Sequence, residues 1–374
     1  MADTAFSARE AGGFASACML SIRRTFVEHL PLYACSIAFC ICALLIATVY
    51  RVPVSIAPSV GFLQAVPLFA VLGISLNAAL QLARLVRLGA RDPLRAMARW
   101  LRDGFLAADR PGNIFHAILT LTPLMIAFDA LKEQIPRIHP FAWDGIFTQW
   151  DRVLGMGRLP WQILQPVLGH PPVTAGINFI YDLWFVVMFG CLFWQAFTAR
   201  GGVLRLQFLL AFSFAWFIGG NLLATYFSSA GPCFFGHLHP GPDPYGPLVA
   251  YLRETNRNWP VWSVHIQDML WQSYENGGGM VSGISAMPSM HVTIATLLAL
   301  LGMRTNKWLG TALVAFAALI VVGSIVLAWH YAVDSIAGVA LALLFWKMAG
   351  LVARRVPYGP GRAAGLAPGA ARPV

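Results

Sequence analysis

The chain has 374 residues, of which 58% are hydrophobic and 11% charged. A soluble domain carries about twice that charged fraction, so the composition excludes a soluble globular protein and points to an integral membrane protein. The net charge of +10 sits largely on Arg residues beside apolar runs, the pattern of membrane loops, and does not indicate nucleic-acid binding.

In chain order, the N-terminal segment lacks a compact apolar core followed by a cleavage site, so the first span is expected to act as an anchor rather than a cleaved signal. Apolar runs near bilayer length predict eight spans, at about 31–50, 60–82, 113–131, 173–197, 206–228, 288–303, 308–329 and 334–352. Most of the 26 Lys and Arg residues then fall on the side of both termini, which is expected to be cytoplasmic. Between the second and third spans, Arg84, Arg87, Arg91, Arg95, Arg99 and Arg102 recur every three or four residues. Leu94, Met97, Ala98, Leu101 and Phe105 oppose them. This predicts a basic amphipathic helix, broken near Pro93, on the cytoplasmic leaflet, with a partner-binding surface as the alternative. Of six Cys, only Cys233 falls in an outside loop, so no disulfide is expected. The Pro- and Gly-rich end of the chain is expected to be disordered.

Two long outside segments, about 132–172 and 229–287, are rich in Trp, Pro, Gly and His and have the length of a lid or a site. The same face receives His291 at the start of the sixth span, His330 at the end of the seventh and Asp334 at the start of the eighth. On a helical backbone His330 and Asp334 share a face, so the carboxylate can fix the imidazole tautomer and leave the other nitrogen as nucleophile or base. A second imidazole at His291 suits attack on phosphorus, one His attacking and the other protonating the leaving oxygen. Pro288 and Ser289 open a helix whose free N–H groups favour phosphate. Gly277, Gly278, Gly279 and Gly283 let backbone wrap an oxyanion. Each residue also has a structural reading. His330 can be a helix-end hydrogen-bonder, Asp334 a helix cap and Ser289 only a helix start.

The strings SAMPSMH and HYAVD resemble the second and third signatures of the type-2 phosphatidic acid phosphatase superfamily, which contains lipid phosphatases, lipid phosphotransferases and vanadium haloperoxidases. Pro288-Ser289-Met290-His291 stands where Pro-Ser-Gly-His is usual, and His330 and Asp334 match His-x-x-x-Asp. The resemblance implies an all-α membrane protein whose last six of eight helices form the superfamily core. It divides the chain into 1–112, a helix pair with the basic segment; 113–352, the catalytic core; and 353–374, a cytoplasmic tail. It also implies that His330 is the nucleophile, forming a phospho-histidine, that Asp334 orients it, and that His291 serves the leaving and then the accepting alcohol. No cofactor or metal is implied. The first signature, a Lys followed seven residues later by Arg-Pro, has no counterpart. Ser324 occupies the place of the third signature's Arg. These losses, with Met290, resemble the branch of inositol phosphorylceramide synthases, which implies a phospholipid donor, a lipid acceptor and a site at the outer face of a bacterial-type inner membrane.

Substitute phosphate clamps are sought among Lys132, Arg137, Arg152, Arg253 and Arg257, with Arg253 and Arg257 ranked first because they precede the Gly-rich loop. Tyr181 and Asp182 lie in the outer third of the fourth span; Asp182 is a site candidate or a helix–helix hydrogen-bonder. Asp144 and Asp151 bind a headgroup or cap interfacial helices. Cys233, His237 and His239 have metal-like spacing but no convincing further ligand. The leading expectation is a lipid phosphotransferase, with a lipid phosphate phosphatase as alternative and a transporter or inactive scaffold as a third class.

Overall fold

The computed structural model describes residues 2–53, 60–89, 92–100, 109–198, 202–277 and 283–358. Gly278, Gly279, Arg91, Leu101, Arg102, Phe105 and the tail from residue 359 lie outside them, and of Ala98 only the backbone is described. The principal helices are α1 (Ala2–Tyr50), α2 (Val60–Arg87), α3 (Pro93–Arg99), α4 (Arg110–Lys132), α5 (Asp144–Leu154), α6 (Pro160–Leu168) and α7 (Pro171–Ala196). They continue as α8 (Val203–Tyr226), α9 (Gly246–Thr255), α10 (Trp262–Glu275), α11 (Met290–Thr305), α12 (Lys307–Val326) and α13 (Ala332–Arg355). Among the described residues there is no strand, and six helices are long and apolar enough to cross a membrane: Ser16–Tyr50 of α1, α4, α7, α8, α12 and α13. The shorter α11 covers the predicted sixth span, and α2 covers the second.

α11 is the axis of the bundle. Val292, Ile294, Leu297, Leu298 and Leu301 are fully buried on all its sides, as expected of a helix without a polar face. α12 and α13 pack on it, α13 packs on α8, and α7 packs on α12. α1 lies against α4 and α8 at the outside of this core. α11 begins two residues later than Pro288 suggests: Ser289 is the cap, and its Oγ accepts from Val292 N at 3.4 Å. α3 starts at the expected break, with Pro93 in its first turn and the Asp92 carboxylate accepting from Arg95 N at 3.1 Å.

Arg205 is buried in the first turn of α8. Its guanidinium donates to Gln195 O at 2.8 Å, Asn113 O at 3.0 Å and His29 Nε2 at 2.7 Å. His29 Nδ1 donates to Thr25 O, so Nε2 is free to accept. Arg205 therefore ties α8 to α1, α4 and α7, and burial is tolerated because its donors are matched. The six cysteines are free thiols.

Candidate active site

The C-terminal turns of α4, the middle of α7 and α8, the start of α11 and the turn between α12 and α13 line a cavity of about 190 Å³. Its polar side chains include Lys132, Ser285, His291 and His330; Phe128, Trp184, Phe185, Trp216, Phe234 and Trp329 are its Phe and Trp lining. Trp216 belongs to a π-helical stretch of α8, Ala215–Leu223, where the wider turn brings Gly220 against Phe128. π-Turns of this kind recur at functional sites.

His330 sits in the turn after α12, not on a helix, and this alters its partnership with Asp334. Its Nδ1 is 2.9 Å from Ala286 O and 3.5 Å from Asp334 Oδ2, so the carbonyl is the hydrogen-bond acceptor and the carboxylate a secondary contact. A carbonyl only accepts; Nδ1 therefore carries the proton and Nε2 keeps its lone pair. Burial holds the imidazole far below its ordinary pKa, to about 3, against the opposing bond to Ala286 and helped by the Lys132 charge. Asp334 Oδ2 accepts from Tyr331 N at 3.0 Å, while Oδ1 is buried without a partner among the described residues. Asp334 thus fixes the first turn of α13 and the His330 turn together, standing three residues inside the helix rather than as its cap.

His291 projects from the first turn of α11. Its ring stacks on Tyr181 at 4.7 Å between centroids and touches Trp184 at 4.3 Å. The His291 and His330 ring centroids are 6.1 Å apart, so the two imidazoles share one site. Tyr181 is buried, with its hydroxyl unpartnered, so it orients His291 rather than facing the cavity. Asp182 accepts from Asn178 Nδ2 at 2.7 Å and does not line the cavity. The bond lies within α7, one turn apart, so it does not join two helices as the structural reading of Asp182 expected.

Among the cationic candidates, the structure brings Lys132 to the cavity and leaves the others away from it. Asp129, three residues earlier on α4, is the countercharge that acts on Lys132. Gly283 lets the chain pass over it: its φ is +89°, and a Cβ there would lie 2.6 Å from Lys132 Cγ. Arg253 and Arg257, ranked first in the sequence, are diverted to ion pairs on an exposed face, with Asp268 at 2.5 Å and Glu254 at 2.9 Å. Arg137 bonds Gln134 Oε1 and Gly277 O. Ser289 is fully buried as a helix cap, off the cavity wall. Ser324 is spent on Val321 O and Ser335 Oγ. His237 stacks on Trp271 and His239 on Phe235, and no group of three or more His, Cys, Asp or Glu with metal-like geometry occurs among the described residues.

Asp144 and Asp151 turn out to frame the His330 turn. The Asp144 carboxylate accepts from Ala230 N at 3.0 Å, Gly231 N at 2.8 Å and Tyr331 Oη at 2.8 Å. Asp151 accepts from Ala332 N at 2.9 Å and Val333 N at 3.0 Å, so it caps α13 from another helix. Gly231, φ +103°, fits beneath Trp329, where a Cβ would meet Trp329 O at 2.8 Å. The pairing of Asp144 with Tyr331 joins residues 187 apart and leaves no local trace in the sequence.

Burial raises Asp151 to about 7 against its two N–H bonds, and raises Asp144 as well. A carboxyl whose pKa is raised on folding favours the fold most below its unfolded value and loses that contribution as pH climbs through the folded one. Stability is therefore expected to decline between about pH 4 and 7 through Asp151. Thermal unfolding across that range should show the decline flattened in Asp151→Asn; an unchanged slope would remove Asp151 as its source.

The bundle defines a helical, multi-pass membrane protein with a cavity among its helices. The family model described as PAP2 superfamily matches residues 146–348, more than half of the chain, and the chain belongs to that superfamily. It is accordingly an enzyme acting on lipid phosphoesters, as a phosphatase or a phosphotransferase. The match spans His291, His330 and Asp334 and begins after Lys132. Comparisons with curated proteins and with solved structures found no match.

Proposed function

We propose that the enzyme moves a phosphoryl-linked headgroup from a phospholipid donor to a lipid acceptor, in the manner of inositol phosphorylceramide synthases. The observation that carries this reading is the His330 tautomer. With the proton held on Nδ1 by Ala286 O, the buried neutral ring keeps its Nε2 lone pair, in a cavity shared with His291 and Lys132. Nε2 attacks phosphorus and the bond to the diacylglycerol oxygen breaks, that oxygen taking a proton from His291, which enters the step as the imidazolium paired with the anionic phosphodiester and leaves it neutral. His291 then removes the proton of the acceptor hydroxyl, whose oxygen attacks the phospho-histidine and frees Nε2. Lys132 offsets the charge on the phosphoryl oxygens.

Transfer is favoured over hydrolysis by the six Phe and Trp rings of the cavity wall, which exclude water from the intermediate. By the same reading, residues 113–352 are the catalytic core, 1–112 an added helix pair and 353–374 a tail. Both termini are cytoplasmic and the cavity opens at the outer face of a bacterial-type inner membrane.

The test offers purified protein in lipid a panel of headgroup-labelled phospholipids, with and without ceramide or diacylglycerol. Label entering a new lipid only when acceptor is present supports transfer. Release of phosphorylated headgroup or phosphate regardless of acceptor makes the enzyme a hydrolase using the same residues. Orthovanadate, which mimics five-coordinate phosphorus, is expected to compete with the donor; absence of competition at millimolar concentration would count against a histidine nucleophile.

A further inference from the structure

The two faces of α5 have different surroundings. Asp144, Phe147, Thr148 and Asp151, at positions i, i+3, i+4 and i+7, are buried against the bundle. Ile146, Trp150 and Val153 form the opposite face and are exposed, Val153 by 78%. Met156, in the turn that follows, is 92% exposed. A contiguous apolar face of this kind is a liability in water.

Its position supplies the covering. α5 packs on the start of α13, and the adjoining α6 packs on α12, so the pair lies where two membrane-crossing helices end. Arg152 and Arg158 are exposed beside the apolar face. An apolar stripe with a Trp, flanked by Arg, at the level of the helix ends is the chemistry of a helix lying in the lipid–water boundary, its cations toward lipid phosphates.

The buried face of the same helix grips the His330 turn from both sides. Asp144 holds Tyr331 Oη, and Asp151 holds the N–H groups of Ala332 and Val333. α5 is one continuous helix of 11 residues that carries both carboxylates, so a shift of its outer face moves both.

We infer that α5 rides in the surface of the bilayer and transmits its seating to His330 through Asp144 and Asp151, so that turnover depends on lipid contact with α5. Asp144 and Asp151 are positioning residues here; neither touches the reacting atoms. The inference rests on His330 acting as proposed above.

The test uses the full chain in phosphatidylcholine–phosphatidylglycerol vesicles. Val153→Cys carries an environment-sensitive nitrobenzoxadiazole label, with labelled unsubstituted protein as the reference for the native thiols. The expected result is blue-shifted emission quenched by shallow doxyl lipids. Val153→Asp and Asp151→Asn should each lower kcat about tenfold with KM unchanged, because a misplaced nucleophile costs rate rather than binding. The double variant should lose no more than the worse single variant, since both act through one element. Size exclusion and thermal unfolding confirm that each variant is folded. Water-like emission at position 153, quenching that follows protein density instead of lipid, or multiplying losses in the double variant would each overturn the inference. Turnover that survives His330→Ala would instead remove the proposed nucleophile, while the label would still report how α5 is seated.

Discussion

Replacing His330 with alanine is expected to lower kcat by on the order of 10²-fold or more, with folded protein retained. The imidazole makes one strong hydrogen bond, to Ala286 O, and its loss leaves a single buried carbonyl unpaired. That costs about 1–3 kcal/mol, within the stability of an ordinary domain. The turn itself does not depend on the ring. It is held by Trp329 N and His330 N on Ser324 O, by Gln267 Nε2 on Leu327 O and by the Asp144 bond to Tyr331. Loss of rate without loss of fold therefore separates chemistry from architecture. His330→Asn, closer in polarity, should lose as much, because an amide is no nucleophile toward phosphorus. Turnover near that of the unsubstituted enzyme in either variant would remove His330 from the reaction.

The second large effect is expected at Lys132. It is the cation lining the cavity, and Lys132→Met should lower kcat/KM by about 10²-fold, the scale for removing one preorganised partner of a developing charge. Gly283→Ala should lose activity in the same direction but by less. Its Cβ would press on Lys132 Cγ at 2.6 Å and would strain a backbone at φ +89°, displacing the ammonium without deleting it. Arg253→Ala and Arg257→Ala should leave steady-state rates within about twofold, since each is an exposed ion-pair residue, a class worth at most about 1 kcal/mol. Steady-state assays on the four variants decide the matter. A large effect at Arg253 with none at Lys132 would reverse the assignment.

Much of the architecture was legible in the sequence, because apolar runs of bilayer length report helices directly. The predicted third, fourth and seventh spans correspond to α4, α7 and α12 within a few residues. The meeting of His291 with His330 was also legible, since both lie at helix ends on one face of the bundle. The placement of the cationic candidates was not legible, for a physical reason. Lys132 lacks the expected spacing to a following Arg-Pro, and its position depends on Gly283, 151 residues later, closing over it. Arg253 and Arg257 looked available, yet Glu254 stands three residues before Arg257 and forms a helix-spaced pair with it. Asp144 and Asp151 read as caps of their own short helices. Asp151 is indeed a cap, but of α13, a helix that begins 181 residues further along the chain. Contacts of that separation follow from tertiary packing, which no local pattern encodes.

The central claim is that a phosphoryl group passes through Nε2 of His330. Protein in lipid vesicles would be mixed briefly with a phospholipid labelled at its phosphorus, in the absence of acceptor, and quenched in alkali, in which phospho-histidine survives. Peptide mapping should find the label on His330, absent in His330→Ala and discharged when acceptor lipid is added before the quench. Label on another residue, or transfer of full yield in His330→Ala, would contradict the account.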